Sequence, residues 1–431
     1  MYGSATARNK KIGSQHLLYA QPTDNLSWPS PNVDTLYSTV AYDVSRQDLE
    51  LVVGEVGGGR YYSVAWYTPY GENYVTFGAT TGAQAGTYLV SPARASNTSG
   101  TMQPDPSGRY EGVLHAPNTF GVAMIRILLQ SNTADDLAAV NAIQSRFSCA
   151  VVDRTDSTPI GPPLTSDIFA VEYNASNDQL QYILDLAARF TQTDPPSLNT
   201  NTSIIPSKTK AALSAAGIDS ASGTYTPPLG VNMTTAAQSS KAALTYAGTS
   251  NETNLDLGND WKMFRPGYIG TFGTHYAARA YIAREAYLGM VPAEAIYPFY
   301  VDETFSLGHN ESCRMQFSGR PPLEGVGFWG VAMYNADGYL VENEIDRYNI
   351  GDRSNLTYAD GTLVYGSGDV NSTFEVLVQT APPPDEYVSN WLPSPANGSD
   401  FIMLLRFYAP TEALQNGDYI YPKLNRTAAI V

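Results

Sequence analysis

The sequence predicts an α+β fold in which strands dominate: a β-rich N-terminal domain over residues 1–165, a helical region over 166–290, and a C-terminal β-sandwich of jelly-roll type over 291–431. Three observations carry that prediction. Short runs rich in Tyr, Val and Ile, separated by Gly and Pro, fill the first part. Apolar residues then recur at helical spacing from about Thr133 to Gly289, and turn-punctuated short strands return after them. A chain of 431 residues with 43% hydrophobic content is long enough for two or three such units.

The first strand follows a dense turn. In SWPSPNVDTLYSTVAYDVS (Ser27 to Ser45), Pro29, Pro31, Asn32 and Asp34 fix the chain before Leu36, Ser38, Val40 and Tyr42 alternate with Tyr37, Thr39 and Ala41. Further strands are RYYSVAWY (Arg60 to Tyr67), GTYLVSP (Gly86 to Pro92) and FGVAMIRILLQ (Phe120 to Gln130). The glycine-rich EVGGGRYY has no following Lys-Ser/Thr and opens no helix, so it reads as a flexible or bulged hairpin and not as a phosphate cradle. In ADDLAAVNAIQSRF, Leu137, Val140, Ile143 and Phe147 share a helical face behind acidic residues that suit a helix N-terminus. NDQLQYILDLAARF repeats the pattern with Leu180, Ile183, Leu184, Ala187 and Phe190, and Asn177 stands where a cap belongs. The Ala/Ser/Thr-rich stretch from Pro195 to Gly258 reads as a glycosylated insert with two short helices, around Ala211 and Ala242. THYAARAYIAREAYLG (Thr274 to Gly289) predicts a helix capped by Thr274 and ended by Gly289. Beyond it, GFWGVAMYNADGYLVEN reads as a hairpin turning at Asp337-Gly338, and STFEVLVQTAP and DFIMLLRFYAP as further strands of a sandwich.

Composition narrows the partners. A formal net charge of -16 repels phosphate backbones, which excludes nucleic acid, and no apolar run approaches the length of a membrane span. Asn-x-Ser/Thr acceptors stand at Asn25, Asn97, Asn174, Asn201, Asn232, Asn251, Asn310, Asn355, Asn371, Asn397 and Asn425, which predicts N-linked glycans and a secreted or secretory-pathway protein. MYGSATARNKK at Met1 lacks the apolar run of a signal peptide, so the chain reads as a mature or trimmed form. Cys149 and Cys313 allow either one bridge closing a long loop or two buried thiols.

With only His16, His115, His275 and His309, and no HxH, HExxH or CxxC, the sequence predicts no metal and no cofactor. It also lacks a Gly-x-Ser-x-Gly elbow and a dinucleotide fingerprint. What remains is 30 tyrosines, 14 phenylalanines and 5 tryptophans in a chain sparing with charge, a composition suited to a pocket for lipophilic small molecules. The most site-like segment is the helix start at Thr274, after the aromatic loop WKMFRPGYIGTFG with Trp261 and Phe264. There His275 is a candidate proton donor or base, Tyr276 a hydrogen-bond donor, and Arg279 an anchor for an enolate or carboxylate. In the competing reading, His275 only caps neighbours and Arg279 pairs with a core acid. Two more arginines, Arg126 in AMIRILL and Arg406 in MLLRFYA, stand alone in apolar strands and need partners, for which Asp34 or Asp346 are candidates.

SPNVDTLYSTVAYDVS, GRYYSVAWY and AGTYLVSP resemble the domain-of-unknown-function family 1254 (DUF1254). FGTHYAARAYIAREAYLG, AEAIYP, GFWGVAMYNADGYLVENEIDRYNIGD, YADGTL, SNWLPSP and FIMLLRFYAPTEAL resemble its partner family 1214 (DUF1214). The resemblance implies the same β-rich, helical, β-sandwich order and makes the turn at Ser30 to Thr35 a family feature. It adds Trp28, Asp34, Tyr37, Trp66 and Trp329, which belong to the shared motifs, as substrate-binding candidates beside Trp261 and Phe264. In type, and not by motif, the chain is similar to the fungal glycosylated hetero-Diels–Alderases that join tropolone quinone methides to terpenes. That likeness implies a secreted, cofactor-independent enzyme of fungal secondary metabolism that orients lipophilic reactants, with a homo-oligomer compatible with it. The alternatives are a glycan- or lipophile-binding protein without turnover, and a hydrolase or isomerase.

Overall fold

The computed structural model describes residues 9–12, 15–20, 32–94, 98–154, 156, 158–168, 179–196, 204–301, 304–366 and 369–431. Its N-terminal part holds β1 (Asn9–Ile12), β2 (Gln15–Ala20), β3 (Thr35–Asp43), β4 (Asp48–Val53), β5 (Tyr62–Tyr67), β6 (Asn73–Gly78), β7 (Gly86–Pro92), β8 (Thr101–Gln103), β9 (Gly112–Ala116), β10 (Phe120–Leu128), α1 (Ala134–Gln144) and β11 (Ser148–Val152). The alternation in the opening stretch is that of a strand: Leu36, Ser38, Val40 and Tyr42 are buried in β3 while Ala41 is exposed. One sheet runs β1-β2-β3-β10-β5-β6 and the other β11-β4-β7-β9-β8. Val40, Trp66 and Phe77 of the first meet Leu49, Leu51, Val90 and Leu114 of the second in one core, closed by Val140 and Ile143 of α1. Thr133 caps α1 through its side chain, which accepts the Asp136 N–H. Phe147 joins the same core from beyond the end of α1.

The middle of the chain forms α2 (Gln179–Thr193), α3 (Ile204–Ala215), the hairpin β12 (Ile218–Asp219) and β13 (Thr224–Tyr225), α4 (Met233–Thr249), β14 (Asn254–Gly258), β15 (Trp261–Phe264) and α5 (Tyr276–Glu285). Asn177, expected to cap α2, lies outside the described residues. The helix around Ala242 is not short: α4 is 17 residues long, capped by Asn232, whose side chain accepts the Thr235 N–H. Near the end of α4, a Cβ on Gly248 would stand 2.4 Å from the Tyr281 ring, so glycine lets α5 pack closely there.

The helix expected over Thr274 to Gly289 is shorter at both ends, and tertiary contacts explain why. At its start, Gly273 is held by the Glu72 carboxylate and by Arg279, so the helix opens only after His275, which offers no side-chain cap. At its end, the Leu288 carbonyl accepts the Tyr67 hydroxyl at 2.9 Å, and Leu288 takes a left-handed φ of 62.

The C-terminal part holds β16 (Ala295–Ile296), β17 (Phe299–Tyr300), β18 (Glu311–Phe317), β19 (Leu323–Asn335), β20 (Asn349–Gly351), β21 (Phe374–Gln379), α6 (Asp385–Val388), β22 (Trp391–Pro393), β23 (Phe401–Pro410), α7 (Glu412–Asn416) and β24 (Lys423–Ala428). Sheets β16-β23-β19-β20 and β22-β21-β18-β24 enclose a second core, where Trp329, Leu405 and Phe407 face Met315, Phe317 and Val376. The turn at Asp337-Gly338 is present, with Gly338 at φ 82, but its return arm is the single bridge of Tyr334 to Leu340. Cys149 and Cys313 sit in the two separate cores and are not bridged.

A third apolar layer joins the two halves. In β5, Tyr62, Val64 and Trp66 face the first core, whereas Ala65 and Tyr67 face a cluster shared with Phe328 of β19 and Tyr408 of β23. Strands covered on both faces read as unbroken apolar runs, which is why RYYSVAWY, AMIRILL and MLLRFYA lack polar alternation.

Candidate functional site

The punctuated turn before β3 builds this joint. Asn32 Oδ1 accepts the Asp34 N–H at 2.7 Å, closing an Asx turn, and Asn32 Nδ2 donates to the Tyr408 hydroxyl at 2.7 Å. Asp34 Oδ1 accepts Arg353 Nη2 at 2.5 Å and also Asn349 Nδ2. The carboxylate reaches so far because β19 carries Gly330, where a Cβ would stand 3.4 Å from Asp34 Oδ2. Arg353 extends the clamp, donating to the Leu129 carbonyl at 2.7 Å, lying 3.4 Å from Asp352 and covering the Phe328 ring.

Behind the clamp lies a buried group of phenols and guanidinium groups. In register, Arg126 of β10 stands opposite Tyr37 of β3, with its Cζ 5.5 Å from the Tyr37 ring centre. Arg406 of β23 lies 5.5 Å from the Tyr334 ring centre. Both arginines are buried, at 4% and 6% exposure, and both sit in the fields of Tyr37 and Tyr408. Burial pushes Tyr67 up to about 12 and lifts Tyr297, Tyr334 and Tyr408 above the usual phenol range, so these four are neutral donors at neutral pH. Burial acts to pull the Arg126 guanidinium down, but a guanidinium is too basic to lose its proton and it remains a cation.

Glu294 borders the group. Its Oε1 accepts the Tyr61 hydroxyl at 2.5 Å and its Oε2 accepts Thr80 Oγ1 at 2.7 Å. Burial raises its pKa above the ordinary glutamate value, against the lowering effect of Tyr61, Thr80 and Arg126. Glu294 thus holds its proton more tightly in the fold than in the unfolded chain. That contribution to stability is fully present below the ordinary glutamate value and is lost as pH rises through the raised one. Glu294→Gln is expected to flatten the fall of Tm with rising pH across this interval, and superimposable Tm profiles would contradict it.

Of the residues expected at a site, Asp34 and Tyr37 belong to the joint. Trp28 lies outside the described residues. Trp66 is buried in the N-terminal core with its ring 5.5 Å from Tyr42. Trp261 and Trp329 are buried in the C-terminal core, Trp261 Nε1 donating to the Pro422 carbonyl at 2.7 Å and Trp329 Nε1 to the Tyr365 hydroxyl. Phe264 packs between Tyr281 and Phe299.

His275, Tyr276 and Arg279 do share the start of α5, away from the joint. His275 is exposed and lies tilted against the Tyr268 ring with centres 4.1 Å apart, and the Tyr276 hydroxyl meets Thr209 Oγ1 at 3.1 Å. Arg279 is tied down, 2.6 Å from Glu72 Oε2 and donating to the carbonyls of Tyr70 and Gly273. Arg279→Met is therefore expected to lower stability by about 1–3 kcal/mol, the scale of a broken buried hydrogen-bonded charge. Glu72→Gln should be non-additive with it in a double-mutant cycle, and strict additivity would contradict the pairing.

Asp34 pairs with Arg353, and Asp346 is exposed beside Tyr348, so neither is the hydrogen-bonded partner expected for Arg126. The residues that sequence reading left out of the site are Asn32, Tyr67, Tyr297, Arg353 and Tyr408. Arg126 and Arg406 were visible as lone charges in apolar strands, and the signal lay in those runs. Cys313 offers no nucleophile there: it belongs to the C-terminal core, and burial pushes its thiol up to about 11. Among the described residues, no three His, Cys, Asp or Glu side chains converge as metal ligands would.

Two family descriptions match the chain: "Protein of unknown function (DUF1254)" over residues 14–151 and "Protein of unknown function (DUF1214)" over residues 294–412. No curated protein sequence matches it. Among solved structures, the VPA0106 protein of Vibrio parahaemolyticus aligns with a TM-score of 0.62 at 15% identity, over 92% of this chain and 90% of that one. An uncharacterised protein from Burkholderia cenocepacia aligns with a TM-score of 0.44 at 11% identity, over 93% of this chain and 78% of that one. The Vibrio structure shares the β-rich α+β fold. The chain belongs to the family in which a DUF1254 domain is followed by a DUF1214 domain.

Proposed function

We propose that this protein is a secreted, cofactor-independent enzyme of fungal secondary metabolism that binds and orients lipophilic reactants where its two β domains meet. The observation that supports this most is Arg126: a buried cation among phenols, with Nε and Nη1 left without acceptors. Such a group holds and polarises a carbonyl oxygen without acting as a nucleophile. Aromatic walls supply the apolar contact that brings a second reactant alongside. A hetero-Diels–Alder addition of a quinone methide to a terpene alkene fits these means. In it the O=C–C=C unit and the alkene form one C–O and one C–C bond, three π bonds become one π and two σ bonds, and no electron, proton or leaving group is exchanged with the protein.

The test is to generate a tropolone quinone methide beside a terpene alkene and follow adduct formation and stereochemistry with wild type and Arg126→Met. Faster formation of one stereoisomer, lost in the variant, is expected. Rates and isomer ratios equal to those without protein would sink the cyclase, and tight binding without acceleration would identify a lipophile-binding protein.

The secretory assignment rests on the sequons. Asn232, Asn251, Asn310, Asn355 and Asn371 are exposed and Asn425 is half-buried. Asn25, Asn97, Asn174 and Asn201, and the side chain of Asn397, lie outside the described residues. Among the described residues no helix is long and apolar enough to cross a membrane. Expressed through a yeast secretory pathway, the chain is expected to carry glycans on the exposed five, seen as a mass excess removed by endoglycosidase. An unshifted mass would contradict it.

A further inference from the structure

We infer that Arg126 is an anion anchor and that its ligand is a planar, lipophilic molecule bearing a carboxylate or an equally delocalised oxyanion. This rests on the reading of the joint as a lipophile site and names the charge of what enters it. A buried arginine that serves only the fold is ordinarily satisfied by acids or carbonyls. Arg126 is not: at 4% exposure, its Nε and Nη1 have no acceptor, its Nη2 meets the Leu288 carbonyl only at 3.5 Å, the outer limit of a hydrogen bond, and its further side-chain contact is with the neutral Tyr67 hydroxyl. The two forked edges of a guanidinium, Nε with Nη2 and Nη1 with Nη2, therefore each keep an N–H to give, and a carboxylate fits either fork with two oxygens.

The neighbouring acids are occupied. Both oxygens of Glu294 are taken by Tyr61 and Thr80, and Asp34 is engaged by Arg353 and Asn349. Tyr67, Tyr297 and Tyr408 are neutral and bring no negative charge. With Arg406 buried close by, the joint keeps a positive field that an anion relieves. The Tyr37 ring beneath the guanidinium favours a flat ligand that can lie against it.

Calorimetric titration of the full chain with 4-bromobenzoate and with the neutral 4-bromobenzamide tests this. Wild type is expected to bind the carboxylate at least about tenfold more tightly, the scale of a charge-assisted hydrogen bond. Arg126→Met should abolish that preference with Tm unchanged or raised, because an apolar side chain replaces an unsatisfied charge. Arg126→Lys, which keeps the charge and loses the fork, should retain only part of it. Equal binding of the two probes by wild type overturns the anion inference and leaves the lipophile site standing. Binding of neither probe also overturns it, and the adduct assay then judges the wider reading separately. A preference that survives in Arg126→Met, or a Tm lowered by several degrees in that variant, overturns it too, the latter by showing that Arg126 serves the fold.

Discussion

Asp34→Ala is expected to destabilise the protein by about 3–5 kcal/mol, the cost of breaking a buried ion pair from one side. The Asp34 side chain is 2% exposed, and its loss strands both Arg353 Nη2 and Asn349 Nδ2. Asp352, 3.4 Å from Arg353, keeps part of the charge balanced, which places the effect toward the lower end of that range. Because Asp34 joins strand β3 to the C-terminal sheet, its loss should also uncouple the halves, so that calorimetry shows two transitions where wild type shows one. Asp34→Asn, which keeps an acceptor for Arg353, should fall between. A cost below about 1 kcal/mol, typical of an exposed pair, would contradict the clamp.

Trp329→Ala is expected to cost about 3–5 kcal/mol through the cavity it leaves. The indole is fully buried, lies 4.8 Å from the Phe317 ring and donates to the Tyr365 hydroxyl. Trp329→Phe should recover most of the packing and still leave the Tyr365 hydroxyl without its donor. Denaturant unfolding measures both. A small stability loss coupled to loss of ligand binding would instead put Trp329 on the wall of the site, as its place in the family motif first implied.

Strand positions were legible because alternation and turn chemistry are local. Leu36 to Tyr42 and the Asx turn at Asn32 follow from residues within ten positions of one another. Helix ends were less legible: what stops α5 is Tyr67 bonding to Leu288, 221 positions away in sequence. The site was legible in kind more than in place. Family motifs pointed to Asp34 and Tyr37, but they pointed equally to Trp66 and Trp329, which fill cores. A lone arginine in an apolar strand announces a buried cation, yet its partners lie on strands far apart in the chain. Thus Arg279, the more site-like by composition, is paired with Glu72, while Arg126 keeps N–H groups without acceptors.

The central claim, that the joint between the two β domains is a binding site organised by Arg126, is tested most directly by a crystal structure of the full chain grown with 4-bromobenzoate, whose bromine marks its position by anomalous scattering. The account predicts the bromine within the phenol group of Tyr37, Tyr297 and Tyr408, with a carboxylate oxygen hydrogen-bonded to Arg126 Nε or Nη1. A structure in which every Arg126 N–H is met by protein acceptors, with the bromine elsewhere, would contradict it.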